Sequence, residues 1–332
     1  MRIVKVPRIN ALGLKGPEDA PDKIVAELGV DAEEISVDNS NVEDSEKVIY
    51  DRAKELFESV LAHPKLRYAQ SHPNGRASLA DLSKTSEKSR DSGNKIAFIG
   101  GDHSTTYPIF KAFSEVNGDA FLVVFDAHAD CDVANKEPTH EEFLRAIIER
   151  GFDPGRVVLV GVRKMWDVEK KFLEENGVKV FGLGDCSEDP IRSSSIGASC
   201  ADLELRDDAP RSRSRLSKSS PTQDGRASPA NNESSAKKFC EGVLDYLKKS
   251  AIGRKVYVSV DIDVLDPSIA PGVSYAETEG LGEEEFSGLL KEIFSELDVR
   301  TMDVVEVVPE KDDGRTVAAA ARVVREFSSD SL

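Results

Sequence analysis

Short runs of apolar and β-branched residues recur along this chain, and longer segments with apolar residues at helical spacing separate them. This alternation is typical of parallel strands joined by crossover helices. The runs are almost continuously apolar, which is expected of strands that helices cover on both faces. The sequence therefore predicts an α/β fold around a mostly parallel sheet. The predicted strands are Ile3–Val6, Ile96–Gly100, Phe121–Asp126, Val157–Gly161, Val178–Gly182, Val256–Asp263 and Asp303–Val308.

Two polar stretches interrupt this alternation within what is predicted to be a single domain spanning residues 1–332. Residues 69–94 are rich in Ser and predict a flexible connection. Residues 192–238 have almost no apolar periodicity, so they predict a disordered insertion that cannot offset its own ordering entropy. A partner-binding or phosphorylated arm is the alternative for this insertion. The predicted helices are Ser45–Leu61, Tyr107–Val116, His140–Arg150, Trp166–Asn176, Lys237–Lys249, Glu283–Leu297 and Thr316–Phe327.

The overall charge narrows the classes of partner. Among 332 residues, 44 are Lys or Arg and 61 are Asp or Glu, which gives a formal net charge of −17. Such a balance argues against nucleic acid, whose phosphates require a cationic surface, and favours a small cationic ligand. No apolar run approaches the roughly 20 residues of a membrane span, so no membrane partner is expected. The 4 cysteines form no Cys-x-x-Cys pair, and a cytoplasmic location is the simplest expectation.

Polar clusters follow three of the predicted strands. The clusters are Gly100–Ser104 (GGDHS), Asp126–Asp130 (DAHAD) and Asp261–Pro267 (DIDVLDP). In an open parallel sheet the ligand site lies beyond the carboxyl ends of the strands, so the three clusters are predicted to converge on one crevice. Taken singly, each Asp has an alternative role as a turn or helix cap, and each His as a structural residue.

Together these clusters offer a metal-binding set of two imidazoles and four carboxylates. An oxygen-rich set with a minority of imidazole suits a harder divalent ion such as Mn²⁺. The i, i+2 spacing would place these side chains on one face if the backbone stayed extended. Because four carboxylates exceed the charge of one cation, two cations with shared carboxylates are predicted. The set is His103, Asp126, His128, Asp130, Asp261 and Asp263.

Glu306 interrupts the last predicted strand, DVVEVV. An unpaired carboxylate buried there would cost several kcal/mol, so Glu306 requires a cationic partner or a wet crevice. A structural salt bridge to a nearby Arg or Lys is the alternative to a ligand-binding role. Farther back, THEE at Thr139–Glu142 has the pattern of a capping box, which predicts His140 in the first turn of a helix.

The order of these motifs resembles the ureohydrolase family, the arginases and agmatinases. GGDHS, FDAHAD and SVDIDVLDPSIAPG resemble the three signature motifs of that family, and DVVEVVPEKDDGRT resembles its closing strand and helix start. The resemblance implies a three-layer αβα fold with a mostly parallel sheet of about eight strands. It also implies a homo-oligomer, a trimer or a hexamer.

The resemblance further implies a dinuclear manganese amidinohydrolase with two Mn²⁺ ions per chain, in which a metal-bridging hydroxide attacks a guanidino substrate and releases urea and an amine. Asp130 is expected to steady the hydroxide, His140 to shuttle protons and Glu306 to hold the guanidinium. The implied ligands are His103 and Asp130 at one ion, His128 and Asp263 at the other, and Asp126 and Asp261 between the two.

The chain departs from the family at the residues expected to contact the substrate. Ser274, Tyr275 and Ala276 replace small and turn-forming residues, and Asn135–Thr139 (NKEPT) lacks the stretch with which arginases bind the amino acid head group. The loop change bears on substrate specificity. The missing head-group stretch favours agmatine, which yields putrescine and urea, over arginine or another guanidino or formimino substrate. A hydrolase of phosphate esters and a metal-binding pseudoenzyme with an altered loop are the remaining alternatives.

Overall fold

The computed structural model describes residues 1–10, 15–71, 95–183 and 229–329. Within them, eight parallel strands form one sheet in the order β2-β1-β3-β8-β7-β4-β5-β6. The predicted α/β fold with a parallel, three-layer arrangement is thereby confirmed. The strands are β1 (Arg2–Val6), β2 (Glu33–Glu34), β3 (Ile96–Gly100), β4 (Phe121–Phe125), β5 (Val157–Val162), β6 (Lys179–Gly182), β7 (Val256–Asp261) and β8 (Val299–Val305).

Helices cover both faces of the sheet. The helices α1, α6, α7 and α8 pack on one face, and α2, α3, α4 and α5 pack on the other. None of the helices in the described ranges is long and apolar enough to cross a membrane. The helices are α1 (Ala20–Leu28), α2 (Val42–Ser71), α3 (Thr106–Val116), α4 (Phe143–Glu149), α5 (Asp167–Asn176), α6 (Pro229–Ser250), α7 (Glu283–Glu296) and α8 (Arg315–Ser329).

The continuous hydrophobicity of the strands follows from these two layers. In β3, Ala97 and Ile99 belong to one apolar core, whereas Ile96 and Phe98 belong to the core on the opposite face. Successive side chains of a strand point to opposite faces, so a strand covered on both sides needs apolar residues at every position. The three strands followed by polar clusters therefore lie in the middle of the molecule.

Several predicted boundaries differ from the structure. Strand β7 ends at Asp261, and residues 262–264 form a 3₁₀ turn, whereas β8 runs from Val299 to Val305. Residues 69–71 continue helix α2, and residues 229–238 belong to helix α6, although both stretches were predicted to lack structure. A proline at the first helical position has no amide hydrogen to satisfy, so Pro229 can begin α6. The rest of the two predicted segments lies outside the described residues.

Candidate metal centre

The three polar clusters meet at the carboxyl edge of the sheet. Strands β3, β8, β7 and β4 are successive neighbours, so the residues after β3, β4 and β7 emerge side by side. The predicted convergence is therefore observed, and it gathers two clusters of imidazole and carboxylate groups.

The first cluster surrounds His103. Its Nδ1 atom lies 3.0 Å from Asp126 Oδ2, 3.1 Å from Asp130 Oδ2 and 3.2 Å from Asp261 Oδ2. His103 and Asp126 are fully buried, and Asp261 is nearly so. Three carboxylates that meet one ring nitrogen at such distances form a compact ligand set.

The second cluster surrounds His128 and shares a residue with the first. His128 Nδ1 lies 2.9 Å from Asp263 Oδ2 and 3.5 Å from Asp126 Oδ1. The two oxygens of Asp126 thus face different imidazoles, and Asp126 belongs to both clusters. This geometry is that of two adjoining cation sites with a common carboxylate.

Turns, rather than extended backbone, bring these side chains together. Asp126 Oδ1 accepts a hydrogen bond from the His128 amide at 2.6 Å, and Asp261 Oδ1 accepts one from the Asp263 amide at 2.9 Å. Asp130 has a positive φ of 50°. The backbone does not stay extended through these motifs, because each leading Asp caps the turn that follows its strand. Capping and clustering are thus combined in the same residues.

Negative charge dominates the electrostatics of the two clusters. Burial and the neighbouring charge of Asp126 raise the pKa of Asp130 to about 8. Burial and the charges of Asp263 and Asp126 raise the pKa of Asp261. Burial alone would lower the pKa of His128, but its contacts with Asp126 and Asp263 raise it to about 12. Protons compensate buried carboxylates here, and divalent cations are a stronger means of doing so.

Two buried atoms in the first cluster have unsatisfied hydrogen-bonding capacity. His103 Nδ1 and Asp126 Oδ2 lie 3.0 Å apart, yet neither has a hydrogen-bond partner within the described parts of the chain. Buried polar atoms normally have such partners, and adjacent unpartnered lone pairs are typical of metal ligands. Oxygen donors with a minority of imidazole fit Mn²⁺. The residues present therefore fit a pair of divalent cations.

The opposite nitrogen of His103 is held by a network that the sequence analysis missed. His103 Nε2 lies 3.0 Å from Ser259 Oγ, which donates to Asp303 Oδ1 at 2.7 Å. Asp303 also accepts hydrogen bonds from Tyr257 and Thr106. Such contacts orient a ligating imidazole and select its tautomer. The available signal was a buried Ser and a buried Asp within otherwise apolar strands.

Glu306 lies at the edge of this centre, one residue after β8 rather than inside it. Its φ is 63°, in the left-handed region, and its amide donates to the Gly101 carbonyl at 2.8 Å. Its Oε1 accepts from the His103 amide at 2.9 Å. Burial and the charge of Asp102 raise the pKa of Glu306 to about 8. Glu306 forms no salt bridge with an Arg or Lys of the described residues, and it lines the cleft above the clusters.

His140 also lines the cleft, but the predicted capping box does not form. Helix α4 begins at Phe143, so His140 lies in the turn that precedes it. The Glu142 carboxylate accepts hydrogen bonds from Thr139 and Asn135, so it is not the reciprocal cap that the motif predicts. Both ring nitrogens of His140 are buried without a hydrogen-bond partner in the described segments.

The outer half of the cleft contains residues that sequence reasoning misassigned or missed. Trp166, the first residue of a predicted helix, precedes helix α5, is 64% exposed and lines the cleft. The Lys164 ammonium lies 5.3 Å from the centre of the Trp166 ring. Tyr275 and Glu277 line the facing wall, and Glu277 Oε1 lies 3.9 Å from His128 Nε2. Polar residues after β5 were a fourth signal at this edge of the sheet.

Fold and site together define an α/β protein that can hold two neighbouring divalent cations at the floor of a cleft. The model of the Arginase family matches residues 3–199 and 230–329. The chain belongs to the Arginase family. The predicted family membership is confirmed, and the matched ranges leave out residues 200–229, which lie within the predicted insertion.

The relatives that this chain resembles have different named activities. A mitochondrial arginase of Medicago truncatula is 30% identical over 70% of this chain and 54% of its own length. An agmatinase of Bacillus subtilis is 26% identical over 69% of this chain and 61% of its own length. The chain thus spans little more than half the length of the curated relatives it matches. The solved structure of proclavaminate amidino hydrolase from Streptomyces clavuligerus has the same fold as this chain, with a TM-score of 0.67. The match covers 98% of this chain and 89% of that one at 20% identity.

Proposed function

We propose that this protein hydrolyses a guanidino compound to urea and an amine with two manganese ions, and that its substrate is agmatine, which yields putrescine. One observation carries the proposal most directly. Two imidazole–carboxylate clusters share Asp126 at the floor of a cleft whose walls include Glu306 and His140.

The inner residues supply the ligands. His103 and Asp130 would hold one ion and His128 and Asp263 the other, while Asp126 and Asp261 would serve both sites. When bound, two such ions lower the pKa of a shared water and supply a nucleophile at neutral pH. Asp130 lines the cleft as well as contacting His103, so its carboxylate can accept a hydrogen bond from the attacking water and orient it.

Glu306 binds the guanidinium. Its carboxylate is buried and has no cationic partner among the described residues, so a substrate guanidinium supplies the missing charge. In the absence of substrate, burial raises the pKa of Glu306 to about 8, and an adjoining cation favours its ionised form. Two oxygens of a carboxylate match the paired N–H groups of a guanidinium.

His140 transfers a proton to the leaving amine. The residue is 7% exposed and lines the cleft, and neither ring nitrogen has a hydrogen-bond partner in the described structure. An imidazole beside the cleft can deliver a proton to the nitrogen that departs as the amine. Urea and the amine are then the products.

The outer half of the cleft supports a substrate with a second positive charge. Asp132, Glu141 and Glu277 line it, against the one ammonium of Lys164 among the lining side chains. Asn135 lies in the stretch where arginases are expected to bind the amino acid head group. Its side-chain amide donates to the Glu142 carboxylate at 2.6 Å. These features favour agmatine, which has an ammonium in place of the amino acid group.

Lys164 supports a second candidate. An ammonium on the cleft wall can pair with a carboxylate, so a guanidino acid such as guanidinobutyrate, or arginine, is the alternative substrate. The excess of acidic groups around it makes this the second choice.

Urea release by the Mn²⁺-loaded protein tests the proposal. We expect urea from agmatine at a higher kcat/KM than from arginine or guanidinobutyrate. Higher kcat/KM for guanidinobutyrate would move the assignment to guanidino acids. No urea from any of the three, with two manganese ions bound per chain, would contradict the urea-forming reaction and favour the pseudoenzyme.

The proposal includes a cytoplasmic homo-oligomer, a trimer or a hexamer, as expected from the family resemblance. Sedimentation of the Mn²⁺-loaded protein tests the assembly, for which a monomer at micromolar concentration would be the contrary result. Nucleic acid and membranes are not proposed as partners, because the formal net charge of −17 opposes binding to phosphate-rich surfaces.

A further inference from the structure

Arg163 begins the connection after β5, and its side chain contacts the end of that strand and two further segments of the chain. All hydrogen bonds of its guanidinium in the described structure go to backbone carbonyl oxygens. The acceptors are Asp263 at 2.7 Å, Glu277 and Thr278 at 3.0 Å each, and Gly161, Val264 and Leu265 at 3.3 Å each. No carboxylate of the described residues forms an ion pair with this guanidinium.

Two of these segments have distinct tasks in the proposed site. Residues 261–265, here called the ligand turn, include the proposed metal ligands Asp261 and Asp263. Residues 273–281, here called the substrate loop, carry Tyr275 and Glu277 into the cleft. A single nitrogen of Arg163, Nη2, donates to the carbonyls of both Asp263 and Glu277, so one group connects the two segments.

The substrate loop has other contacts at its ends, but they do not hold its middle. Lys311 donates to the carbonyls of Val273 and Ser274. At the other end, the Asp266 carboxylate accepts from the amides of Glu279 and Gly280, and the Leu281 amide donates to the Val264 carbonyl. Between these points the loop lacks regular secondary structure, and its carbonyls at Glu277 and Thr278 accept from Arg163. Loss of Arg163 would therefore remove the hydrogen bonds to the carbonyls of Glu277 and Thr278 in the middle of the loop.

Local packing brings Arg163 to this junction. Gly161 has a φ of 101°, and a Cβ atom there would lie 2.5 Å from Val264 Cγ2. Only glycine fits this approach without displacement of the ligand turn. The end of β5 can then lie directly against the ligand turn. Arg163, two residues after Gly161, reaches across that turn.

We infer that Arg163 is a positioning residue that fixes the substrate loop against the ligand turn through a fork of carbonyl hydrogen bonds. A planar guanidinium has five N–H donors in a fixed arrangement, whereas an ammonium has three on a single atom. Lysine keeps the charge but cannot reach carbonyls on three segments at once. The inference rests on the proposed function only in assigning the loop to the substrate.

Hydrogen exchange of the full-length, Mn²⁺-loaded protein tests the inference without a measurement of activity. In Arg163→Lys we expect amides of residues 273–281 to exchange at least about tenfold faster, because hydrogen bonds that restrain the loop are lost. The matched control is Arg156→Lys. The Arg156 guanidinium lies outside the cleft and donates to the Gly118 carbonyl at 3.0 Å. Wild-type exchange in Arg163→Lys, or equal acceleration in the control, would overturn the inference.

Kinetics of the Mn²⁺-loaded variants give an independent measurement. Arg163→Lys is expected to raise KM at least tenfold, with a smaller change in kcat, because the loop contacts the substrate rather than the reacting atoms. An unchanged KM would overturn the inference. If Arg163→Lys fails to fold by circular dichroism, Arg163→Gln, which keeps two amide donors, replaces it in both measurements. Failure of the wild-type urea assay would contradict the proposed function, whereas unchanged loop exchange would contradict only the role of Arg163.

Discussion

The inner and outer halves of the cleft are built in different ways. The inner half consists of the six proposed metal ligands, among which His103 and Asp126 are 0% exposed and Asp263 is 5% exposed. The outer half includes Lys164, Trp166 and the substrate loop, where Trp166 is 64% and Tyr275 50% exposed. The inner half holds charges in a buried environment, and the outer half presents side chains to solvent.

This difference has a physical consequence for what each half can tolerate. Buried carboxylates are costly unless cations accompany them, so each inner residue depends on its neighbours. Outer side chains have few such dependencies, and they can change while the metal centre is retained. The comparison predicts that inner substitutions remove metal, substitutions at the boundary change catalysis, and outer substitutions change substrate preference.

The largest effect is expected for a ligand. His128→Asn or Asp263→Asn should lower manganese content and urea formation together, by more than the roughly 100-fold that loss of a supporting contact costs. Metal per chain and kcat are measured on the same preparation. Full manganese occupancy in either variant would remove that residue from the inner half.

His140→Asn is expected to act on the boundary between the two halves. Manganese should stay bound, while kcat should fall by roughly 100- to 10,000-fold, the usual contribution of a general acid or base. The control is the metal content of the variant beside that of His128→Asn. Metal loss as severe as in the ligand variant would show that the assigned role is wrong.

Glu306→Gln should retain both ions and lower kcat/KM by roughly 10- to 100-fold, since hydrogen bonds to charged groups contribute about 1.5–3 kcal/mol. The substitution keeps the shape of the side chain and the acceptor for the His103 amide. Steady-state kinetics with agmatine check the prediction. Wild-type constants would exclude Glu306 from substrate binding.

The smallest effect is expected in the outer half. Lys164→Met should raise the preference for agmatine over guanidinobutyrate by about two- to fivefold, as for removal of one exposed charge, at unchanged metal content. Lys179→Met is a matched control, because that ammonium lies 4.6 Å from the Phe181 ring outside the cleft. An equal shift in the control, or loss of metal, would contradict the division into two halves.

The fold and the inner half could be predicted from the sequence because their signals are local. A strand buried on both faces must be apolar along its length, and polar residues directly after such strands must lie at one edge of the sheet. GGDHS, DAHAD and DID satisfy both conditions. Strand β2 escaped prediction because Glu33 and Glu34 are exposed and carry no apolar pattern.

The remaining features depend on contacts between distant segments. THEE predicted a helix start at His140, but the Glu142 carboxylate binds Asn135 and Thr139 side chains instead of capping the helix. Arg163 is one polar residue after a strand, and no local pattern shows that carbonyls of three segments converge on it. Trp166 has helical neighbours in sequence, and its exposure follows from the cleft beside it.

Manganese stoichiometry of Asp126→Asn tests the central claim, which is that one carboxylate serves two metal sites. Asparagine has nearly the same shape as aspartate, so the fold should remain. The account predicts two ions per chain in the wild type, loss of one in His128→Asn and loss of both in Asp126→Asn. An Asp126→Asn protein that keeps one ion at wild-type affinity, or a wild type that binds only one, would contradict it.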